Sequence, residues 1–151
     1  MATSHTMQKT GTRGNVVFMV ALRIVGAALL VGMAYIHYDL WGLGYSSVSL
    51  IGPLFLANAI IGVLLAIAVI VMPSTLLGIT STLSSLFTLG TLAALLVSIF
   101  WGLFGFHETL GAPLLKTTLT VESAGVVVLA VLAVLAARGN GLWKWLPSSG
   151  S

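Results

Sequence analysis

Two short polar segments, set in an otherwise apolar chain, hold most of the side chains able to do chemistry. His37-x-Asp39 is one. His107-Glu108, followed by Lys116 and Glu122, is the other. Together they hold six of the twelve Asp, Glu, Lys, Arg and His residues of the chain. Histidine and carboxylate ligands suit zinc, and copper or iron less selectively. Neither spacing is a recognised metal motif, however, and adjacent side chains on a turned or extended backbone diverge. His37 and His107 are therefore only weak metal candidates, and no metal or other cofactor is assigned. Two histidines at matching depth could also clamp a haem if they faced each other across a bundle. Passage of protons or small solutes through a vestibule is a further use for such groups. A rim of interfacial hydrogen bonds is the plain alternative. No nucleophile–base pair, H-E-x-x-H run, phosphate-cradling glycine loop or G-x-S-x-G elbow is legible, so an enzyme of the usual kinds is not expected. The absence of cysteine excludes disulfides, thiolate metal sites, iron–sulfur clusters and a cysteine nucleophile.

The elements that must position these groups follow from composition. The chain is 58% hydrophobic and 6% charged, whereas a soluble domain carries roughly 25% charged residues. That implies an all-α integral membrane protein: a single domain over residues 15–138, with four transmembrane helices near 15–38, 53–72, 76–102 and 119–138. Residues 1–14 are read as a disordered cytoplasmic tail, and 139–151 as an interfacial or disordered one. The first apolar run is too long for a secretory signal, and Arg23 interrupts it. Lys9, Arg13, Arg138 and Lys144 fall on the tails, and Lys116 is the only Lys or Arg in either of the loops after the first and third spans. The positive-inside rule thus puts both termini in the cytoplasm, in a multi-pass protein of the cell membrane. The two polar segments then share the outer face. Trp41, Tyr45, Trp101 and Phe106 would mark the outer interface, and Trp143 and Trp145 the inner one. Scattered basic residues make no nucleic-acid face; the expected partners are the lipid bilayer and a second copy or another membrane protein.

A few polar residues interrupt the spans. Arg23 lies fourteen residues before His37, which puts the two within about 40° of one helical face. It can snorkel toward the cytoplasm, pair structurally or contact an anion. Asn58, with Gly62 and Ala66 at four-residue steps, reads as a helix-packing hydrogen-bonder or a solute contact. Thr88 and Thr91 belong to a hydroxyl stripe that either back-bonds to its own helix or lines a polar path. Glu122, placed at the start of the fourth span, would be favoured by the helix N-terminus. Its sharper alternative is proton carriage or pairing, with Lys116 or His37.

The chain also carries His37-x-x-Leu40-Trp41, Gly44-Tyr45, Ile51-Gly52-Pro53-Leu54-Phe55-Leu56-x-Asn58 and Phe104-Gly105-Phe106-x-Glu108-Thr109-Leu110. In these it resembles small four-span membrane proteins of high-GC Gram-positive bacteria, a group known as a domain of unknown function. The likeness covers most of residues 15–138 and implies no activity. More distantly, in architecture alone, the chain resembles DoxX-type four-helix membrane proteins, some linked to respiratory quinone oxidoreductases.

Three functions follow. A non-enzymatic accessory or structural subunit expects Ala27, Gly62 and similar small residues to face outward as a seam. A small-solute or proton transporter expects Arg23, Asn58, Thr88 and Thr91 to converge on a cavity open to the outer vestibule. A DoxX-like redox or metal-binding subunit expects His37 and His107 to meet. The accessory subunit is the first expectation.

Overall fold

A computed structural model describes residues 4–139 of the chain. Four helices make up the fold: α1 (Ser4–Gly42), α2 (Ile51–Val71), α3 (Ser74–Phe100) and α4 (Leu115–Gly139). All four are long and apolar enough to cross a membrane, α1 over Asn15–Gly42. The shortest, α2, is 21 residues, or about 30 Å of helix, which matches the hydrocarbon core. Large apolar side chains such as Phe18, Ile24, Leu64, Leu83 and Val127 stand exposed along the bundle's sides. In water they would oppose folding; against lipid they are solvated. The fold is an all-α four-helix membrane bundle.

The breaks between helices have local causes. Met72 is extended (φ −63°, ψ 138°), as the residue before Pro73 must tend to be, and α3 starts directly after that proline. The other connections pass through left-handed backbone. Gly44 and Gly102 adopt φ +127° and +82°, where glycine has no steric penalty. Leu50 and Leu114, each just before a helix, hold φ near 60°, which is uncommon for a side-chain-bearing residue. A 3-10 turn at Tyr45–Ser47 tucks under α2. A Cβ on Gly52 would lie 2.6 Å from the Ser46 carbonyl oxygen, so only glycine lets α2 begin there.

The helices approach one another through small residues. Gly62 on α2 faces Ala34, Met33 and the Leu30 carbonyl of α1; Gly26 on α1 faces Leu129 of α4; Gly125 and Gly78 on α4 and α3 face Thr88 and the Ala137 backbone. Without water, close packing of this kind is a main source of helix association. The buried centre holds Leu30, Met33, Val69, Leu77, Leu129 and Leu132. Helix α1 packs on α2 and α4, and α3 on α4, but α2 and α3 barely touch. The outward seam expected of Ala27 and Gly62 is thus absent. Both are buried inside the chain, because close approach of α1 to its neighbours uses them.

Hydroxyls on α3 mostly satisfy themselves. Ser84, Thr88 and Thr91 donate to the carbonyls of Thr80, Ser84 and Thr88, so the stripe is largely back-bonding. Ser85 instead bridges to the Val126 carbonyl of α4. Arg23 donates to the Ile70 carbonyl near the far end of α2.

Candidate functional site

The gap between α2 and α3 is a cleft of about 370 Å³ at the end of the bundle carrying the two irregular loops. Its walls are apolar: Leu54, Phe55 and Ile61 from α2, Phe87, Ala94 and Leu95 from α3. Leu54, Ile61, Leu86 and Gly90 are exposed, so the cleft is open sideways, toward lipid. Gly90 meets nothing within 4 Å of where a Cβ would stand. It is the glycine on α3 that serves no packing.

Deep in the cleft stand His37 of α1, Asn58 of α2 and Glu122 of α4. The His37 ring is fixed from both sides. Its Nδ1–H donates to the Met33 carbonyl at 2.9 Å, since a carbonyl can only accept. That leaves Nε2 to accept from the Asn58 amide nitrogen at 3.0 Å. The Glu122 Oε1 atom lies 3.8 Å from the same Nε2, beyond hydrogen-bond length. Glu122 is 1% exposed, and neither of its carboxyl oxygens has a hydrogen-bond partner among the described residues. Thr91 stands beside that carboxyl, but its hydroxyl donates to Thr88. The Asn58 carbonyl oxygen is also without a partner.

An aromatic roof closes the loop end. The His37 ring packs on Phe55 with centroids 5.1 Å apart, Phe55 stacks on Tyr45 at 4.9 Å, and Tyr45 meets Phe106 edge-on at 5.7 Å. The Tyr45 hydroxyl donates to Glu108 at 2.7 Å. Burial, with that bond adding to it, raises the Tyr45 phenol above its usual range. The Glu108 backbone N–H in turn reaches the Ser98 carbonyl and hydroxyl, both at 3.2 Å. The second loop is thereby tied to the end of α3 and to the first loop.

The polar residues of the two outer segments therefore divide. His37 and Glu122 meet in the cleft with Asn58. Glu108 joins the roof. Asp39 is partly exposed on α1, and Lys116 is exposed on α4 with no ion pair to Glu122. His107 lies over Gly102, where any Cβ would strike its ring, and does not line the cleft. No cluster of three or more His, Cys, Asp or Glu able to hold a metal occurs among the described residues. Of the intramembrane set, Asn58 and Thr91 line the cleft, while Thr88 and Arg23 do not. Glu122 does not begin its helix. Since α4 starts at Leu115, the carboxylate is two turns inside, beyond the reach of the helix N-terminus. Phe55 is a site residue that sequence reasoning missed, whereas Tyr45 was expected at this end only as an interface marker and not as the partner of Glu108. The expected inner-interface residues Trp143, Lys144 and Trp145 lie outside the described residues.

No protein-family model, curated protein or solved structure matches this chain.

Proposed function

We propose that this small polytopic membrane protein binds, and in doing so helps to move, a small amphiphile taken from the bilayer. The apolar body would lie between α2 and α3, and the polar end would meet Glu122, Asn58 and His37. The observation that carries this reading is the cleft itself. It is an apolar space of a size that suits a small molecule, open to lipid on one side and floored by buried polar groups. This is the transporter alternative in altered form, entered from the side rather than along an axial path.

Ala27 and Gly62, the small residues named for the accessory reading, are buried within the chain, so they offer no seam to a partner helix. The redox or metal reading asks His37 to meet His107, which instead covers Gly102.

Photocrosslinking in nanodiscs with an alkyl diazirine tests the proposal. Labels should concentrate on Ala57 and Leu95 and disappear in Gly90→Leu, which fills the cleft. Labels spread evenly over the lipid-facing sides, and unchanged by Gly90→Leu, would overturn it.

A further inference from the structure

The floor of the cleft is unbalanced in hydrogen bonding. The polar atoms of His37 are both engaged, one with Met33 and one with Asn58. Three acceptor oxygens remain: both of Glu122 and the amide oxygen of Asn58. Among the described residues no Lys or Arg lines the cleft, and Lys116 and Arg23 are exposed or engaged elsewhere. The Thr91 hydroxyl beside Glu122 is donated to Thr88, and the nearest ring nitrogen, His37 Nε2, stands 3.8 Å away and accepts from Asn58, so a carboxylate at this depth is strongly unfavourable unless it holds a proton or meets a cation. The group that corrects both deficits is a cation carrying N–H donors. An alcohol or neutral amide supplies donors without charge. A quaternary ammonium supplies charge without donors.

Resting on the amphiphile reading above, we propose that the ligand class is an apolar primary amine in its ammonium form, with Glu122 as counter-ion and Asn58 as a second acceptor. The alkyl or aryl body of the amine lies on Phe55, Phe87 and Leu95. Tyr45 and Phe106 keep bulk water from the loop end. Asn58 does two things: it hands one N–H to His37 and turns its oxygen to the ligand. His37 is a positioning residue, since its two hydrogen bonds fix the Asn58 amide the right way round.

Three matched probes decide the matter: hexylamine, hexyltrimethylammonium and hexanol. Each is titrated calorimetrically into the full chain in nanodiscs, with empty nanodiscs subtracted. The amine should bind tightest, and Glu122→Gln should weaken it by roughly tenfold to a hundredfold, as expected for charge-assisted hydrogen bonds. Hexanol binding should be unchanged in that variant, which also reports that the cleft is intact. Asn58→Leu should weaken the amine without creating a preference for the quaternary ion. Equal binding of amine and hexanol, or amine binding indifferent to Glu122→Gln, would overturn the amine assignment while leaving an amphiphile site standing. Equal binding of the quaternary ion would overturn it too. Binding of none of the three above empty nanodiscs would overturn both proposals.

Discussion

The side chains of the cleft floor form one connected set, and its members have unequal roles. Asn58 satisfies His37, so truncating it leaves a buried ring nitrogen without its donor. Asn58→Ala should lower stability by about 1–3 kcal/mol, the usual penalty for an orphaned buried polar group, as read by thermal unfolding in detergent. An unchanged melting temperature would contradict the His37–Asn58 bond. Tyr45 offers a separate check. Burial first, then the bond to Glu108, raises its pKa above the ordinary 10.0. A raised phenol pKa stabilises the fold below the ordinary value, and that contribution disappears as pH rises through the raised one. Tyrosinate absorbance should therefore show one step above the ordinary phenol range, lost in Tyr45→Phe. If Tyr45→Phe removes a step at the ordinary position instead, the bond is absent in solution.

Among the elements, glycines separate a packed side from an open one. Gly62 has Ala34 Cβ 3.1 Å from where its own would stand. Gly62→Leu should therefore force α1 and α2 apart and destabilise the fold by about 1–3 kcal/mol or more. Gly90 faces open space. Gly90→Leu should preserve or raise stability, since glycine is about 1 kcal/mol worse than a good helix former inside a helix. Thermal melts should show a lowered midpoint for Gly62→Leu and no lowering for Gly90→Leu. A loss of stability in Gly90→Leu would mean that α2 and α3 close on each other. Gly102 combines positive φ with the His107 ring against it, so Gly102→Ala strains the turn and displaces the ring together. The span positions were legible from hydropathy, and Pro73 as a break between helices was legible from its chemistry. The left-handed turns at Leu50 and Leu114 were not, because leucine is seldom found there. That is why the starts of α2 and α4 were placed two and four residues late.

At the scale of the molecule, the membrane bundle was legible because so few residues are charged. Four spans also set both ends of the described chain at one end of the bundle, opposite the loops. The composition of the site was partly legible in principle. His37 lies five residues before the end of α1, and Asn58 and Glu122 lie seven residues after the starts of α2 and α4. Rise per residue thus places all three at about 8–10 Å from the same end. What no single-chain pattern announces is which helix pair stays apart. Nothing in α2 or α3 alone marks their shared side as the open one; that follows from where Gly26, Gly62, Gly78 and Gly125 direct the other contacts. The hydroxyls of α3 likewise look like a polar path in sequence, and only their carbonyl partners show that most are spent on their own helix.

If the α2–α3 cleft admits molecules from the bilayer, as proposed, its wall must be reachable from lipid, and the absence of cysteine from the chain permits a direct test. Ala94→Cys places one thiol on the cleft wall, and Ala133→Cys places one in the buried side of α4. Each is exposed in liposomes to a bilayer-soluble maleimide, with and without hexylamine. Modification should be rapid at position 94, slowed by hexylamine, and slight at position 133. Equal rates at the two positions would contradict access from the bilayer, and a rate at position 94 that hexylamine does not change would contradict the amine assignment alone.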